Sequence, residues 1–163
     1  MPRRTPGTDN RVVRVCRLLN RHRARYLLAG GVAANLHGSV RATKDVDILV
    51  PRDEANMARV LAALGELPYG IANELEATAI ARNPITIVGD DPRVDILTVA
   101  WTVTFDQAWE HRVVRRIQGT RVPYLGRDDL VASKQTGRAS DLADVDRLSC
   151  LPLPVRRRKP RRK

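Results

Sequence analysis

The stretch YLLAGGVAANLHGSVRATKDVDILV, residues 26–50, decides the fold because a double-glycine turn is followed shortly by two carboxylates one residue apart. Its pattern predicts a strand, a turn, a short helix, a loop and a second strand. Successive side chains of a strand point to opposite faces, so Asp45 and Asp47 share one face. Two like charges on an otherwise apolar strand repel each other and desolvate poorly. This arrangement indicates a bound cation, and carboxylate oxygens favour Mg²⁺.

The glycine pair before the acids is the second part of this pattern. Gly30 and Gly31 allow a sharp turn and a close approach of the backbone to a ligand. The helix predicted over residues 32–37 would present its free N–H groups and positive dipole end beside them, which suits phosphate oxygens. Without the two acids, a Gly-Gly pair more often marks an ordinary tight turn.

These residues resemble the motif of the DNA polymerase β-like nucleotidyltransferase superfamily, in which a glycine pair ends a strand and an Asp-hydrophobic-Asp strand follows. The Gly-Gly form, the small-residue helix and the run from Arg41 to Asp47 are most similar to AbiEii-type and MenT-type nucleotidyltransferases of toxin-antitoxin systems. The resemblance implies an α/β (α+β) minimal nucleotidyltransferase fold, with a mixed β-sheet flanked by helices. It also implies two Mg²⁺ ions, with Mn²⁺ as an alternative.

A third acidic residue is expected on a neighbouring strand, as members of the superfamily use one. Residues 77–82, 85–88 and 94–99 are predicted to be strands, the last two joined by a turn over residues 89–92. Asp95 interrupts the last of these apolar runs. The resemblance therefore implies that Asp45, Asp47 and Asp95 bind the metal ions and form the catalytic site.

Other local patterns predict further elements. Apolar spacing predicts a first helix over residues 9–23 and a helix over residues 53–64 that Asp53 caps. Alternation around Gln118 and Gly119 predicts a surface hairpin over residues 111–124.

Several residues are predicted to bind the nucleotide. The resemblance assigns this role to Gly30, Gly31, Arg41, Lys134 and Arg138. Lys134 could otherwise be a side chain whose stem packs while its ammonium reaches water, and Arg41 is equally able to form a structural ion pair with the aspartates. His37 is expected to pack or cap a helix rather than to act as a general base, and Asp141 and Asp144 are expected to pair with Arg138.

Charge is distributed unevenly along the 163 residues, whose net charge is +11. Residues 1–30 and residues 155–163 carry +7 each, whereas the remaining middle carries −3. We predict a disordered basic N-terminus over residues 1–8, one nucleotidyltransferase domain over residues 9–150, and a disordered basic tail over residues 151–163. The basic ends suit a polyanion such as RNA, although they could equally serve solubility.

The two cysteines, Cys16 and Cys150, are far apart and have no metal-binding spacing. No disulfide framework or zinc site is predicted, and a reducing compartment fits. No apolar run approaches the length of a membrane span, and the Arg-rich start lacks the apolar core of a signal peptide. We expect a cytoplasmic protein with no membrane partner.

The leading hypothesis is a nucleotidyltransferase that moves a nucleoside monophosphate from an NTP to RNA, such as a tRNA 3′ end, or to a protein. ATP, CTP, GTP and UTP all remain open because no base-reading element is identified. A homodimer or a cognate antitoxin partner would complete the acceptor cleft of so short a chain. The alternatives are a catalytically silent RNA-binding or antitoxin-like partner of the same fold, and a metal-dependent nuclease.

Overall fold

A computed structural model of the chain describes residues 10–39 and 42–152. These residues form seven α-helices, one 3-10 helix and eight strands. The helices are α1 (Asn10–Arg21), α2 (Gly30–Leu36), α3 (Glu54–Leu64), α4 (Ala77–Ile80), α5 (Phe105–Trp109), α6 (Arg127–Ser133) and α7 (Ala139–Cys150), with the 3-10 helix over Ile71–Glu74. The strands are β1 (Leu27–Leu28), β2 (Val46–Leu49), β3 (Ile85–Val88), β4 (Val94–Leu97), β5 (Val99–Ala100), β6 (Val103–Thr104), β7 (Val113–Ile117) and β8 (Thr120–Tyr124).

Six of these strands form one mixed sheet in the order β3-β4-β2-β1-β8-β7, and β5 pairs with β6 in a small second sheet. Strand β2 runs parallel to β4 and antiparallel to β1, whereas β1 runs parallel to β8. The predicted mixed sheet flanked by helices is confirmed.

Apolar periodicity explains the two long helices before and after the acidic strand. In α1 the buried side chains are Val12, Val13, Val15, Cys16, Leu18 and Leu19, and its remaining face is rich in exposed arginine. Helix α3 begins where the Asp53 carboxylate accepts a hydrogen bond of 3.0 Å from the backbone N–H of Ala55, as the sequence predicted. Both helices pack against each other and bury their apolar faces in the common core.

Two strand predictions need correction. Residues 77–82 were predicted as a strand, but Ala77–Ile80 is helix α4, in which the backbone N–H of Ile80 donates to the carbonyl of Glu76. An alternation built largely on alanine carries little strand preference, because alanine favours helix and offers little surface for a sheet. The strand predicted over residues 94–99 ends at Leu97, because Val99 already pairs with Thr104 in the second sheet.

The hairpin predicted over residues 111–124 is confirmed as β7 and β8, which pair antiparallel. It is not merely a surface element, because β8 also pairs with β1 and so extends the main sheet.

The start of the second helix differs slightly from the prediction, since α2 begins at Gly30 and not at residue 32.

The predicted basic N-terminus over residues 1–8 and the tail from residue 153 onward lie outside the described residues. Cys16 is buried and Cys150 is exposed, and both are free thiols. Within the part of the chain that the structure describes, no helix combines the length and the apolar character needed to cross a bilayer.

Candidate active site

The structure brings the three predicted acids to the same face of the main sheet. Asp47 of β2 lies directly opposite Asp95 of β4 in a parallel pair, and paired residues of neighbouring strands point to the same face. Neighbouring strands are about 4.8 Å apart, so the two carboxylates are adjacent. Asp45 lies two residues before Asp47 at the entry to the same strand and shares this side. Local alternation and strand register together produce the cluster.

An arginine that the sequence reasoning did not consider lies inside this cluster. Arg93 donates to Asp95 through Nε at 2.9 Å from Oδ1 and through Nη2 at 3.1 Å from Oδ2. Its Nε also lies 3.8 Å from Oδ2 of Asp45. The signal was present in the sequence, because Arg93 precedes Asp95 by two residues and alternation puts it on the acidic face.

The third carboxylate, that of Asp47, is held in an unfavourable environment for negative charge. Burial, followed by the neighbouring charges of Asp95 and Asp45, raises its pKa to about 6. Lys134 and Arg93 oppose these effects without cancelling them. A further positive charge at this position would therefore stabilise the ionised cluster.

The raised pKa of Asp47 predicts a pH dependence for the stability of the metal-free protein. The folded state holds the Asp47 proton more tightly than the unfolded chain does, with pKa values of about 6 and 3.8. Its contribution is fully present below pH 4 and is lost as the pH rises to about 6, which removes about 3 kcal/mol. Urea unfolding in EDTA from pH 3.5 to 8 should show this slope as the difference between wild type and Asp47→Asn. A difference that does not change with pH would contradict the shift.

Gly30 lies directly against Asp47 and explains why glycine is needed in the turn. Its φ is +57°, and a Cβ added there would lie 1.9 Å from Asp47 Oδ2 and 2.9 Å from Asp47 Cγ. The backbone N–H of Ala29 also donates to the carbonyl of Asp47 at 2.9 Å. The turn and the acidic strand are thus packed together, with no room for a side chain between them.

Gly30→Ala is predicted to lower stability by about 2 to 4 kcal/mol, from backbone strain and the forced shift of Asp47. Gly119→Ala is the matched control, because Gly119 has φ +73° but nothing lies within 4 Å of its added Cβ. Gly119→Ala keeps the backbone strain but adds no clash, so it should cost less stability than Gly30→Ala. Urea unfolding measures both variants, and equal losses would contradict the role of the close packing.

Comparison with known proteins supports the fold. No protein-family model and no curated protein sequence matches the chain. A solved structure that it resembles is that of an antigenic nucleotidyltransferase-like protein from Paracoccidioides brasiliensis, with a TM-score of 0.55 and 15% identity. The likeness covers 90% of this chain and 78% of that chain. The fold is nucleotidyltransferase-like. At this identity the similarity shows the fold and leaves the chemistry to the residues of the site.

The nucleotidyltransferase-like fold places Lys134 in a buried ion pair. Lys134 Nζ lies 2.7 Å from Asp144 Oδ2 and 3.8 Å from Asp141 Oδ1, and both Lys134 and Asp144 are almost completely buried. Arg138 Nε lies 3.1 Å from Asp141, as predicted, but Asp144 pairs with Lys134 and not with Arg138. Contact of Lys134 and Arg138 with a nucleotide stays a prediction.

His37 and Arg41 are the remaining residues that the sequence suggested for the site. His37 Nε2 lies 2.7 Å from the carbonyl oxygen of Leu125, and its ring makes an edge contact with Tyr124. Burial lowers the pKa of His37, so a neutral imidazole that donates to this carbonyl fits the site. His37 therefore packs, as the sequence predicted. Arg41 lies outside the described residues.

The acidic cluster fits a divalent cation in its chemistry but not in its present arrangement. Its donors are carboxylate oxygens, which Mg²⁺ and Mn²⁺ accept, and the charge repulsion at Asp47 would be relieved by a cation. Within residues 10–39 and 42–152, no three acidic, histidine or cysteine side chains converge closely enough to hold an ion as they stand. The guanidinium of Arg93 already pairs with Asp95 and lies 3.8 Å from Asp45.

Proposed function

We propose that the protein is a Mg²⁺-dependent nucleotidyltransferase of the AbiEii or MenT type, a component of a toxin-antitoxin system. It would move a nucleoside monophosphate from an NTP to an RNA, such as a tRNA 3′ end, or to a protein. The observation that carries this proposal is the register of β2 and β4, which puts Asp47 opposite Asp95 with Asp45 on the same side. Close packing of Gly30 on Asp47 adds the turn that would receive the phosphates.

The reaction joins an acceptor hydroxyl oxygen to the α-phosphorus of the NTP and breaks the bond from that phosphorus to the oxygen that bridges to the β-phosphorus. Pyrophosphate leaves with that oxygen, and the hydroxyl proton passes to water. Asp45, Asp47 and Asp95 would hold two Mg²⁺ ions, which when bound lower the pKa of the acceptor hydroxyl and neutralise the leaving group. The backbone amides of Gly30 and Gly31 would bind phosphate oxygens. The cations of Lys134, Arg41 and Arg138 would balance the remaining negative charge.

An RNA acceptor is favoured by the outer face of α1. Arg11, Arg14, Arg17 and Arg21 are exposed there, opposite the buried face of the same helix. Arg21 pairs with Glu66, but within the described residues no ion pair compensates Arg14 or Arg17. Such a row of guanidinium groups attracts phosphate and makes binding weaken as salt rises.

A second copy or a cognate antitoxin would complete the cleft beside the acids. Ile85 and Ile87 of the edge strand β3 are 49% and 53% exposed, and Ile87 lies opposite Asp95 in register, on the acidic face. Exposed apolar side chains on an edge strand are typical of a surface that another chain covers. Light scattering of wild type and Ile87→Lys should detect a dimer that the substitution weakens.

A second function, a catalytically silent RNA-binding or antitoxin-like partner, is favoured by Arg93. Its guanidinium already compensates two of the acids without any metal ion. A protein that never bound metal would be stable in this form. The two functions differ in whether the acids take part in chemistry or only in folding.

The deciding experiment incubates the protein with each α-labelled NTP, Mg²⁺ and total RNA, in parallel with EDTA and with a protein acceptor mixture. We expect label transfer from at least one NTP that EDTA abolishes and that Asp95→Asn removes. Asp106→Asn is the matched control, because Asp106 is an exposed carboxylate on α5. RNA binding without transfer, unchanged in Asp95→Asn, would identify the silent module, and RNA shortening would identify a nuclease.

A further inference from the structure

Among the residues that the structure describes, the side chain of Arg93 is the cation that contacts two of the three acids. It donates to both carboxylate oxygens of Asp95, at 2.9 and 3.1 Å, and its Nε lies 3.8 Å from Asp45 Oδ2. We propose that Arg93 is a resident counter-ion, which positions Asp45 and Asp95 before metal binds, yields them to a divalent cation, and then contacts the phosphates of the nucleotide. The last step rests on the proposed function, whereas the exchange for metal does not.

Mutual exclusion of the guanidinium and the ion follows from where the charges lie. A fork of two hydrogen bonds occupies both oxygens of Asp95, whose side chain is only 11% exposed and so offers few other approaches. A divalent ion shared by Asp45 and Asp95 would come within a few ångströms of the guanidinium. Like charges at that separation repel strongly in a partly buried site. The metal can therefore bind these two acids only if Arg93 moves.

Arg93 is free enough to move, whereas its partner is not. Its side chain is 44% exposed, and it lies on the chain just before β4 begins. Asp95, in contrast, is held in the middle of a four-residue strand that is paired on both sides. Release of Arg93 would leave the nearly buried carboxylate of Asp95 uncompensated, so the arginine can leave only as a divalent cation takes over its charge. The exchange thus leaves the carboxylates in place and shifts only the arginine.

A released Arg93 would still lie on the acidic face, next to any phosphate that the metal ions hold. Guanidinium groups bind phosphate through two parallel hydrogen bonds, the same geometry that Arg93 now uses on Asp95. One residue would thus oppose the binding of metal alone and favour the binding of metal with a polyphosphate. The opposite effects of Arg93 on the affinity for metal alone and on the affinity for polyphosphate distinguish an exchanging counter-ion from an arginine that only supports the fold.

The test measures Mn²⁺ binding by electron paramagnetic resonance, first without any phosphate and then with inorganic tripolyphosphate. We expect Arg93→Gln to bind Mn²⁺ alone about tenfold or more tightly than wild type, because a competing charge is gone. With Mn²⁺ present, it should bind tripolyphosphate at least threefold more weakly. Arg82→Gln, which removes an exposed arginine elsewhere, should match wild type in both measurements. Arg93→Lys should recover part of the tripolyphosphate binding.

Equal Mn²⁺ binding by wild type and Arg93→Gln would overturn the proposal, as would a loss of both kinds of binding in Arg93→Gln. Failure of both proteins to bind Mn²⁺ would also overturn it. If Arg93→Gln does not fold, as judged by thermal unfolding, Arg93→Lys decides: without the fork on Asp95 it should bind Mn²⁺ alone more tightly than wild type and tripolyphosphate more weakly. Binding equal to wild type in both measurements would then overturn the proposal. If Arg93→Gln shows both expected changes in binding but no NTP gives label transfer, the counter-ion role is supported and the proposed enzyme is refuted.

Discussion

Asp47→Asn is expected to reduce nucleotidyl transfer by roughly a thousandfold or more, while the fold stays intact. Asp47 is in register with Asp95 and two residues from Asp45, so it neighbours both of the other acids, and its loss removes a carboxylate that either metal ion would need. Asparagine keeps the shape of the side chain but cannot supply the negative charge that a divalent ion requires. Label transfer from the preferred NTP measures the loss.

The same substitution should stabilise the metal-free protein at neutral pH. The ionised Asp47 is disfavoured there by burial and by its acidic neighbours, which is why its pKa is raised. A substitution that raises stability while it abolishes activity is typical of a residue that serves catalysis and not folding. Asp106→Asn should change neither activity nor stability. Full activity in Asp47→Asn, or a large loss of stability in EDTA, would contradict this account of the site.

Lys134→Met is expected to lower the free energy of unfolding by about 3 to 5 kcal/mol. The substitution leaves the fully buried carboxylate of Asp144 without the ammonium group now 2.7 Å away. Methionine fills a similar volume, so the loss reports the broken ion pair and not a cavity. Because this pair fastens the end of α6 to α7, both helices should loosen together. Urea unfolding measures the change.

Arg138→Met is the matched control for that prediction, because Arg138 also pairs with a carboxylate of α7 but is 77% exposed. Its loss should cost less than about 1 kcal/mol. The double variant Lys134→Met with Asp144→Leu should regain part of the stability lost in Lys134→Met, since the carboxylate that lost its ammonium partner is then also gone. A double variant as unstable as the single one would show that Lys134 acts through some other contact.

Much of the fold could be predicted because its signals are local. The apolar positions of α1, the cap at Asp53 and the hairpin of β7 and β8 each depend on residues close together in the chain. The helix at Ala77–Ile80 was predicted wrongly, since a short alanine-rich alternation fits either structure. Packing against neighbouring elements determines the conformation of this segment, and a pattern of so few residues contains no information about those neighbours.

The sequence alone determined that Asp45 and Asp47 share a face and that glycine precedes them, because strand alternation and backbone freedom act within a few residues. Only the tertiary structure decided that β4 pairs in parallel with β2, which sets Asp95 opposite Asp47. It also decided that Arg93 binds two of the acids and that Lys134 binds Asp144. Register and ion pairing depend on which distant segments meet, and that choice is made by the burial of the whole core.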